Sequence, residues 1–185
     1  MKRVALFLLT IAIVGAGVGV LIGLGQEEAP PQAPEELVAL AEKVSVQLDA
    51  AFQEAAFGWI APNFEDVQAS GQRLLNIIAG MNSEDYVPIE GGAAEEIGAH
   101  DNIASLRSML VDTAWSDFTF TADSIFTFVG WARDSAKKVL EMTDEEEART
   151  EIHRAEAFLR AALGCNDGLP TTGGAKAILM ALRGN

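Results

Sequence analysis

Residues 34–58, PEELVALAEKVSVQLDAAFQEAAFG, carry the pattern that sets the fold class. Apolar residues recur there at three- and four-residue steps, which is typical of an amphipathic α-helix with one apolar face. Pro34 suits the first turn of a helix, where its missing N–H is not needed, and Gly58 suits the end. The stretch therefore predicts a helix of about six turns, with an apolar face formed by Leu37, Leu40, Val44, Leu48, Ala51, Phe52 and Ala55.

The same period continues along the chain. Pro62 and Asn63, with Asn63 as N-cap, predict the start of a second helix that ends at Gly80. A third helix is expected from about Ala93 to Thr113, with an apolar face formed by Ile97, Ile103, Leu106 and Leu110.

The second half of the chain repeats the helical pattern. Residues 115–121 are rich in aromatic and β-branched side chains, so a break is expected there, with helix resuming from about Ala122. Thr143 and Glu146 form the sequence pattern of a capping box before the next helix, which should end at Gly164. A short last helix is expected from about Gly174 to Arg183. No segment shows sustained period-two alternation, so the chain is predicted to be all-α.

The first 25 residues have a different character. A short basic start, Met1-Lys2-Arg3, precedes the uncharged apolar run Val4–Leu24. About 20 apolar residues span a bilayer core, and positive flanks stay on the cytoplasmic side. Two interpretations stay open: a signal peptide cleaved after Gly23-Leu24-Gly25, or an uncleaved membrane anchor, which the length of the run favours.

Composition divides the chain into three parts. Residues 26–33 contain two prolines and two glutamates and predict a linker between the export segment, residues 1–25, and a helical domain, residues 34–185. The formal net charge is −14, and Lys2 and Arg3 are the only charges of residues 1–25, so 11 basic and 27 acidic side chains give the rest −16. Such a body repels nucleic acid and anionic membranes.

The domain shows signs of an internal duplication. The segment Leu75–Gly80 matches Leu159–Gly164, and a Pro-x-x-Gly-Gly-Ala element follows each, at Pro88–Ala93 and Pro170–Ala175. The repeats would cover about residues 34–93 and 119–175. Each helical hairpin has an apolar face that it cannot bury alone, so two hairpins packed together predict an antiparallel four-helix bundle.

These short motifs, together with Gly130-Trp131-Ala132-Arg133-Asp134, resemble a group of exported bacterial helical domains of unassigned function. The resemblance spans about residues 36–182 and implies an exported helical bundle. The group has histidines where this chain has Ser70, Arg73 and Ala181. Its polar loop before the second Pro…Gly-Gly-Ala element is shortened here to Asn166-Asp167-Gly168, so the resemblance supports the fold and the location but supplies no metal or haem role.

Few residues suggest chemistry. His100 and His153 are the only histidines, and neither lies in a metal-binding spacing such as His-x-x-x-His, so they are weak candidates for a metal site. No cofactor or catalytic motif is present, and the single cysteine, Cys165, excludes an intramolecular disulfide. The acidic residues 141–151 suit a solvated helix start better than a calcium loop, since they include no glycine.

The sequence thus favours a non-catalytic, extracytoplasmic helical bundle of the cell envelope that binds a protein partner, whose identity it does not give. The alternative is a bundle that holds a small ligand, a metal or haem between helices whose inner faces are rich in alanine. The three tryptophans are expected to be core or bundle-end residues rather than a ligand platform.

Overall fold

The computed structural model describes residues 32–92, 94–164 and 173–184. Within these ranges all regular secondary structure is helical, which confirms the all-α prediction. The elements are α1 Glu35–Ile60, α2 Phe64–Ala79, α3 Ala99–Leu110, a single 3₁₀ turn Ser116–Phe118, α4 Thr119–Glu141, α5 Glu145–Leu163 and α6 Ala175–Leu182.

The predicted export segment is not among the described residues. The apolar run 4–24, Cys165 and the shortened loop Asn166-Asp167-Gly168 all lie outside them. Among the helices that the structure does describe, none combines the length with the apolar character that crossing a bilayer requires.

The four long helices share one hydrophobic core. α1 packs against α2 and α5, and α4 packs against the same two helices, while α3 lies on α1 and α4, and α6 on α1. The helical period explains this arrangement, because it places each apolar face towards the common interior. The largest side chains completely buried there are Leu37, Leu48, Leu74, Ile78, Ile103, Leu106, Leu110, Ile125, Ile152, Leu159 and Ile178.

Helix α1 continues past its predicted end. It ends at Ile60 instead of Gly58, and Gly58 is a buried interior residue. The helix stops where Pro62 disfavours helical backbone in the residue before it, and Ala61 accordingly has a ψ of 145°. Gly58 is required for packing, since a Cβ atom there would overlap with Ile152 of α5.

Two helix starts test the predicted caps. Asn63 caps α2 as predicted, since its side-chain oxygen accepts a hydrogen bond from the Asp66 amide at 2.9 Å. The predicted Thr143 capping box is wrong. Asp144 is the N-cap of α5, and its carboxylate accepts from the Glu147 amide at 2.9 Å. Aspartate is the stronger N-cap residue, which favours the start one residue later.

Helix α3 begins six residues later than predicted, at Ala99 instead of Ala93. The preceding chain is held in a loop, because the Met81 amide donates to the Glu95 carbonyl at 2.9 Å. Ile97, predicted on the apolar face of α3, is therefore exposed in that loop. The loop, residues 80–98, is called the α2–α3 loop below.

One pair of glycines joins the two ends of this loop, and a second pair joins the end of α5 to the start of α6. Gly80 ends α2 with a φ of +79°, and its backbone lies against that of Gly98, the N-cap of α3. Gly164 ends α5, also with a φ of +79°, and lies against Gly174, the N-cap of α6. The sequence match pairs Gly92 with Gly174, but in packing the counterpart of Gly174 is Gly98. The break predicted at residues 115–121 is confirmed by the 3₁₀ turn.

Candidate functional site

The structure places the two histidines in separate surroundings. The His100 ring, on α3, lies against the Phe126 ring with 4.1 Å between centroids. The His153 ring, on α5, stacks on Trp59 at 4.4 Å, and its Nδ1 lies 3.0 Å from Glu156 Oε2. Nowhere in the described part of the chain do three or more His, Cys, Asp or Glu side chains converge to hold a metal ion.

Two of the three positions at which the resembling group has histidines, Ser70 and Arg73, carry a different network here. Arg73 Nε donates to Glu54 Oε2 at 2.8 Å, and Arg73 Nη2 donates to Ser70 Oγ at 3.0 Å. The network links α1 to α2, with Ser70 buried in the interface. It stabilises the first hairpin and leaves no donor set for a metal.

One end of the domain is formed by the α1–α2 and α4–α5 turns. Gln68 Nε2, in α2, donates to the Met142 carbonyl at 3.3 Å, and Arg149 Nη1, in α5, donates to the Trp59 carbonyl at 3.1 Å. These bonds bring both turns to the same end, which is called the turn end below.

The turn end exposes a group of large apolar side chains. Ile60 is 71% exposed, Phe57 56% and Trp59 42%. Phe57 and Ile60 are three residues apart on the same side of α1, and Trp59 lies on the side of α5, against His153. Single exposed apolar residues are ordinary, but here three large ones lie within four residues at the end of one helix.

Exposed carboxylates lie on two helix starts at the same end. Two of them, Glu65 and Asp66, lie in the exposed first turn of α2, and the start of α5 adds Asp144 and residues 145–147, all exposed glutamates. Arg149 is the basic residue beside Trp59, and it is paired with Glu145 at 2.6 Å. An open cavity of about 460 Å³ beside the start of α5 is lined by Met142, Thr150, Arg154, Glu151 and three of these carboxylates.

A second cluster of charges lies at the α2–α3 loop. Asp85 is largely buried there and pairs with Arg133 and, at 2.8 Å, with Lys137, both on α4. Burial by itself would raise the pKa of Asp85, but the hydrogen bonds and positive charges of Lys137 and Arg133 outweigh it. The pKa of Asp85 is therefore held below its ordinary value. The cluster fastens the loop to α4.

Asn76 fastens the same loop to α2. Its side chain is almost completely buried and bonds both backbone groups of Val87: Nδ2 donates to the carbonyl at 2.7 Å, and Oδ1 accepts from the amide at 3.1 Å. Gln72 adds a bond to Asn76 Oδ1 at 2.9 Å and one to the Asp85 carbonyl at 3.2 Å.

A small polar cavity of about 180 Å³ lies between this loop, the start of α3 and α4. His100 and Arg133 line it together with Asn82, Ser83, Glu96 and Asp101. This cavity brings His100 of α3 together with Arg133 of α4, which lies in a distant part of the sequence.

No protein-family model, curated protein or solved structure matches this chain.

Sequence reasoning missed three of the important residues. Asp85 and Lys137 belong to no motif, and Glu151 was grouped with the solvated acidic cluster. Glu151 is in fact buried: its carboxylate accepts from Ser135 Oγ at 2.8 Å and from Arg154 Nη1 at 2.5 Å. The signal that could have revealed it is its position, one residue before Ile152, on the apolar face of α5.

Two of the tryptophans lie at the surface, and the alanines of the inner helix faces lie in the core. Trp59 lies at the bundle end, as one expectation had it, and Trp131 is an exposed residue of α4 that contacts Phe128 and Phe158. The alanines considered as space for a ligand between the helices are all completely buried in the core: Ala51, Ala55, Ala132, Ala136, Ala155 and Ala162.

Proposed function

We propose that this protein is a non-catalytic, extracytoplasmic helical bundle of the cell envelope that binds a protein partner through its turn end. The observation that carries the proposal is the exposed apolar group Phe57, Trp59 and Ile60, with carboxylates on the neighbouring helix starts. Residues 1–25 provide the export signal or membrane anchor, in keeping with a basic start and the apolar run 4–24.

The proposal includes a four-helix bundle built from two duplicated hairpins. It is supported by the packing of α1 and α4 against both α2 and α5, and by the matching glycine ends Gly80 and Gly164. The order long helix, long helix, short helix occurs twice, in α1–α3 and in α4–α6. Kinship with the group of exported bacterial helical domains is part of the same proposal.

The charge of the turn end selects the partner's chemistry. Exposed aromatic and aliphatic residues supply the binding energy of protein interfaces, and Trp is among the residues that contribute most. Carboxylates around them favour an approaching segment that carries Lys or Arg and disfavour acidic segments and anionic lipid. The partner is therefore a protein segment with apolar side chains flanked by basic ones.

A synthetic probe tests this complementarity. An amphipathic helical Leu/Lys peptide is titrated into the full-length protein in uncharged detergent, and binding is followed by fluorescence anisotropy. We expect saturable binding that weakens with added salt, and no binding of the matched Leu/Glu peptide. Ile60→Asp should weaken binding of the Leu/Lys peptide about tenfold or more.

Val46→Asp is the matched control, because Val46 is also on α1 and is 66% exposed, but it lies far from the turn end. It should leave binding unchanged. Equal binding to wild type and Ile60→Asp would mean that only diffuse charge attracts the peptide, and the proposed docking surface would be withdrawn. In native membranes, a photo-crosslinker at Phe57 should capture a protein through a basic, apolar segment. Capture only of lipid would contradict the proposal.

A further inference from the structure

The polar cavity between the α2–α3 loop and α4 has its charges sorted by depth. Arg133 and His100 are the inner basic residues, with side chains that are 27% and 23% exposed. Glu96 and Asp101 are exposed carboxylates at the rim. The cavity thus presents ring and guanidinium nitrogens inside and carboxylates outside.

Both inner side chains are held in place, and each keeps one nitrogen without a hydrogen-bond partner among the described residues. Asp85 accepts from Nε and Nη2 of Arg133, which leaves Nη1 without a partner among the described residues. The His100 ring is held against Phe126, with Nδ1 3.6 Å from Asp101 Oδ1, and Nε2 likewise has no partner in the described chain. A fixed guanidinium with a free N–H is suited to a carboxylate.

The size of the cavity limits the ligand. Its volume of about 180 Å³ suits a molecule of a few heavy atoms. Such a molecule meets both the inner nitrogens and the rim carboxylates if it carries both charges within a few bonds, as an α-amino acid does.

We infer that this cavity binds a small α-amino acid as a zwitterion, with its carboxylate against Arg133 and His100 and its ammonium group towards Glu96 and Asp101. Asn82 and Ser83 line the remaining wall and offer further polar contacts. The site is separate from the turn end and does not depend on the function proposed for it.

The two histidines provide an internal readout of binding. In full-length protein labelled at the histidine rings, NMR gives one set of signals from His100 and one from His153, which His153→Gln assigns. Titration with glycine and with L-alanine should shift the His100 signals saturably in the millimolar range. The His153 signals should stay in place, because that ring contacts Trp59 and Glu156 instead.

Substitutions at the cavity rim test the proposed orientation. Glu96→Gln should weaken the binding of both amino acids about threefold, and it endangers folding little because Glu96 is exposed. Glu90→Gln, an exposed carboxylate of the same loop that does not line the cavity, should change nothing. Arg133→Lys, which keeps a positive charge for Asp85, should weaken binding about tenfold.

Acetate and methylammonium, each with a single charge, complete the experiment. Both should bind more weakly than glycine. Failure of glycine and L-alanine to shift His100, equal shifts of His100 and His153, or equal affinity for acetate and glycine would each overturn the inference.

Discussion

Gly58 of α1 faces Ile152 of α5 so closely that a Cβ atom at residue 58 would overlap with Ile152 Cδ1 and stand 3.0 Å from Ser70 Cβ. Ile152 and Ser70 are both buried, so neither neighbour can move into solvent. The contact joins α1 to α5 two residues before the end of α1, directly beneath the turn end. The stability of the folded protein should depend on glycine contacts of this kind.

Gly58→Ala should destabilise the protein by about 1–3 kcal/mol, measured by urea unfolding, because the added methyl overpacks the α1–α5 interface. The double variant Gly58→Ala/Ile152→Val removes the colliding Cδ1 atom and should recover part of the loss. A higher urea midpoint for the single variant would show that α1 and α5 are not in such close contact.

Gly130→Ala should have the opposite effect. Gly130 lies within α4, and a Cβ atom there would meet no atom within 4 Å. Alanine in an exposed helix interior is more favourable than glycine by about 1 kcal/mol, so the melting temperature should rise. A clear loss of stability would mean that another part of the chain lies against α4 at this position.

Gly80→Ala should destabilise the domain more than Gly58→Ala does. Gly80 has a φ of +79°, which is strained for residues with a side chain, and its Cβ would overlap with the backbone of Gly98. Backbone cannot rotate away as a side chain can, so we expect a loss of about 3 kcal/mol or more. Comparable urea midpoints for wild type and Gly80→Ala would rule out this backbone contact.

Asn76→Ala should loosen the α2–α3 loop. The variant leaves the Val87 amide and carbonyl without their side-chain partner and should cost about 1–3 kcal/mol. Hydrogen exchange should accelerate first at the Val87 amide and leave α5 protected. Uniform acceleration over all helices would instead indicate that Asn76 stabilises the whole core.

Asp85 should make stability depend on pH. The pKa of Asp85 in the folded protein is lowered from its ordinary value of 3.8. The ionised carboxylate therefore stabilises the protein at pH values above 3.8, and this contribution is lost as the pH falls through the folded pKa. Asp85→Asn should reduce stability near neutral pH. The difference from wild type in urea unfolding should shrink between roughly pH 5 and pH 2.

Asp112→Asn serves as the comparison for Asp85, since Asp112 is exposed and has no ion-pair partner among the described residues. It should leave the urea midpoint nearly unchanged at neutral pH. A difference between wild type and Asp85→Asn that persists undiminished at acid pH would show that the asparagine damages packing and that the ion pairs contribute little.

The sequence by itself determined the helices and several of their ends. The three- and four-residue period identified the buried face of α1, and glycine at positions 80 and 164 marked two helix ends correctly, because these signals act within a few residues. Gly58 carried the same local signal and was misread, since its cause is Ile152, which lies far away in the sequence.

Only the tertiary structure decided which polar residues pair with one another and which apolar residues stay exposed. Asp85 meets Arg133 across 48 residues, and Gln47 reaches the Ile97 carbonyl across 50. The exposure of Ile60 beside the carboxylates of α2 and α5 likewise depends on how the helices assemble. Helical periodicity states which side of each helix is buried, but not which helix lies against it, so contacts between distant residues emerge only when the core is packed.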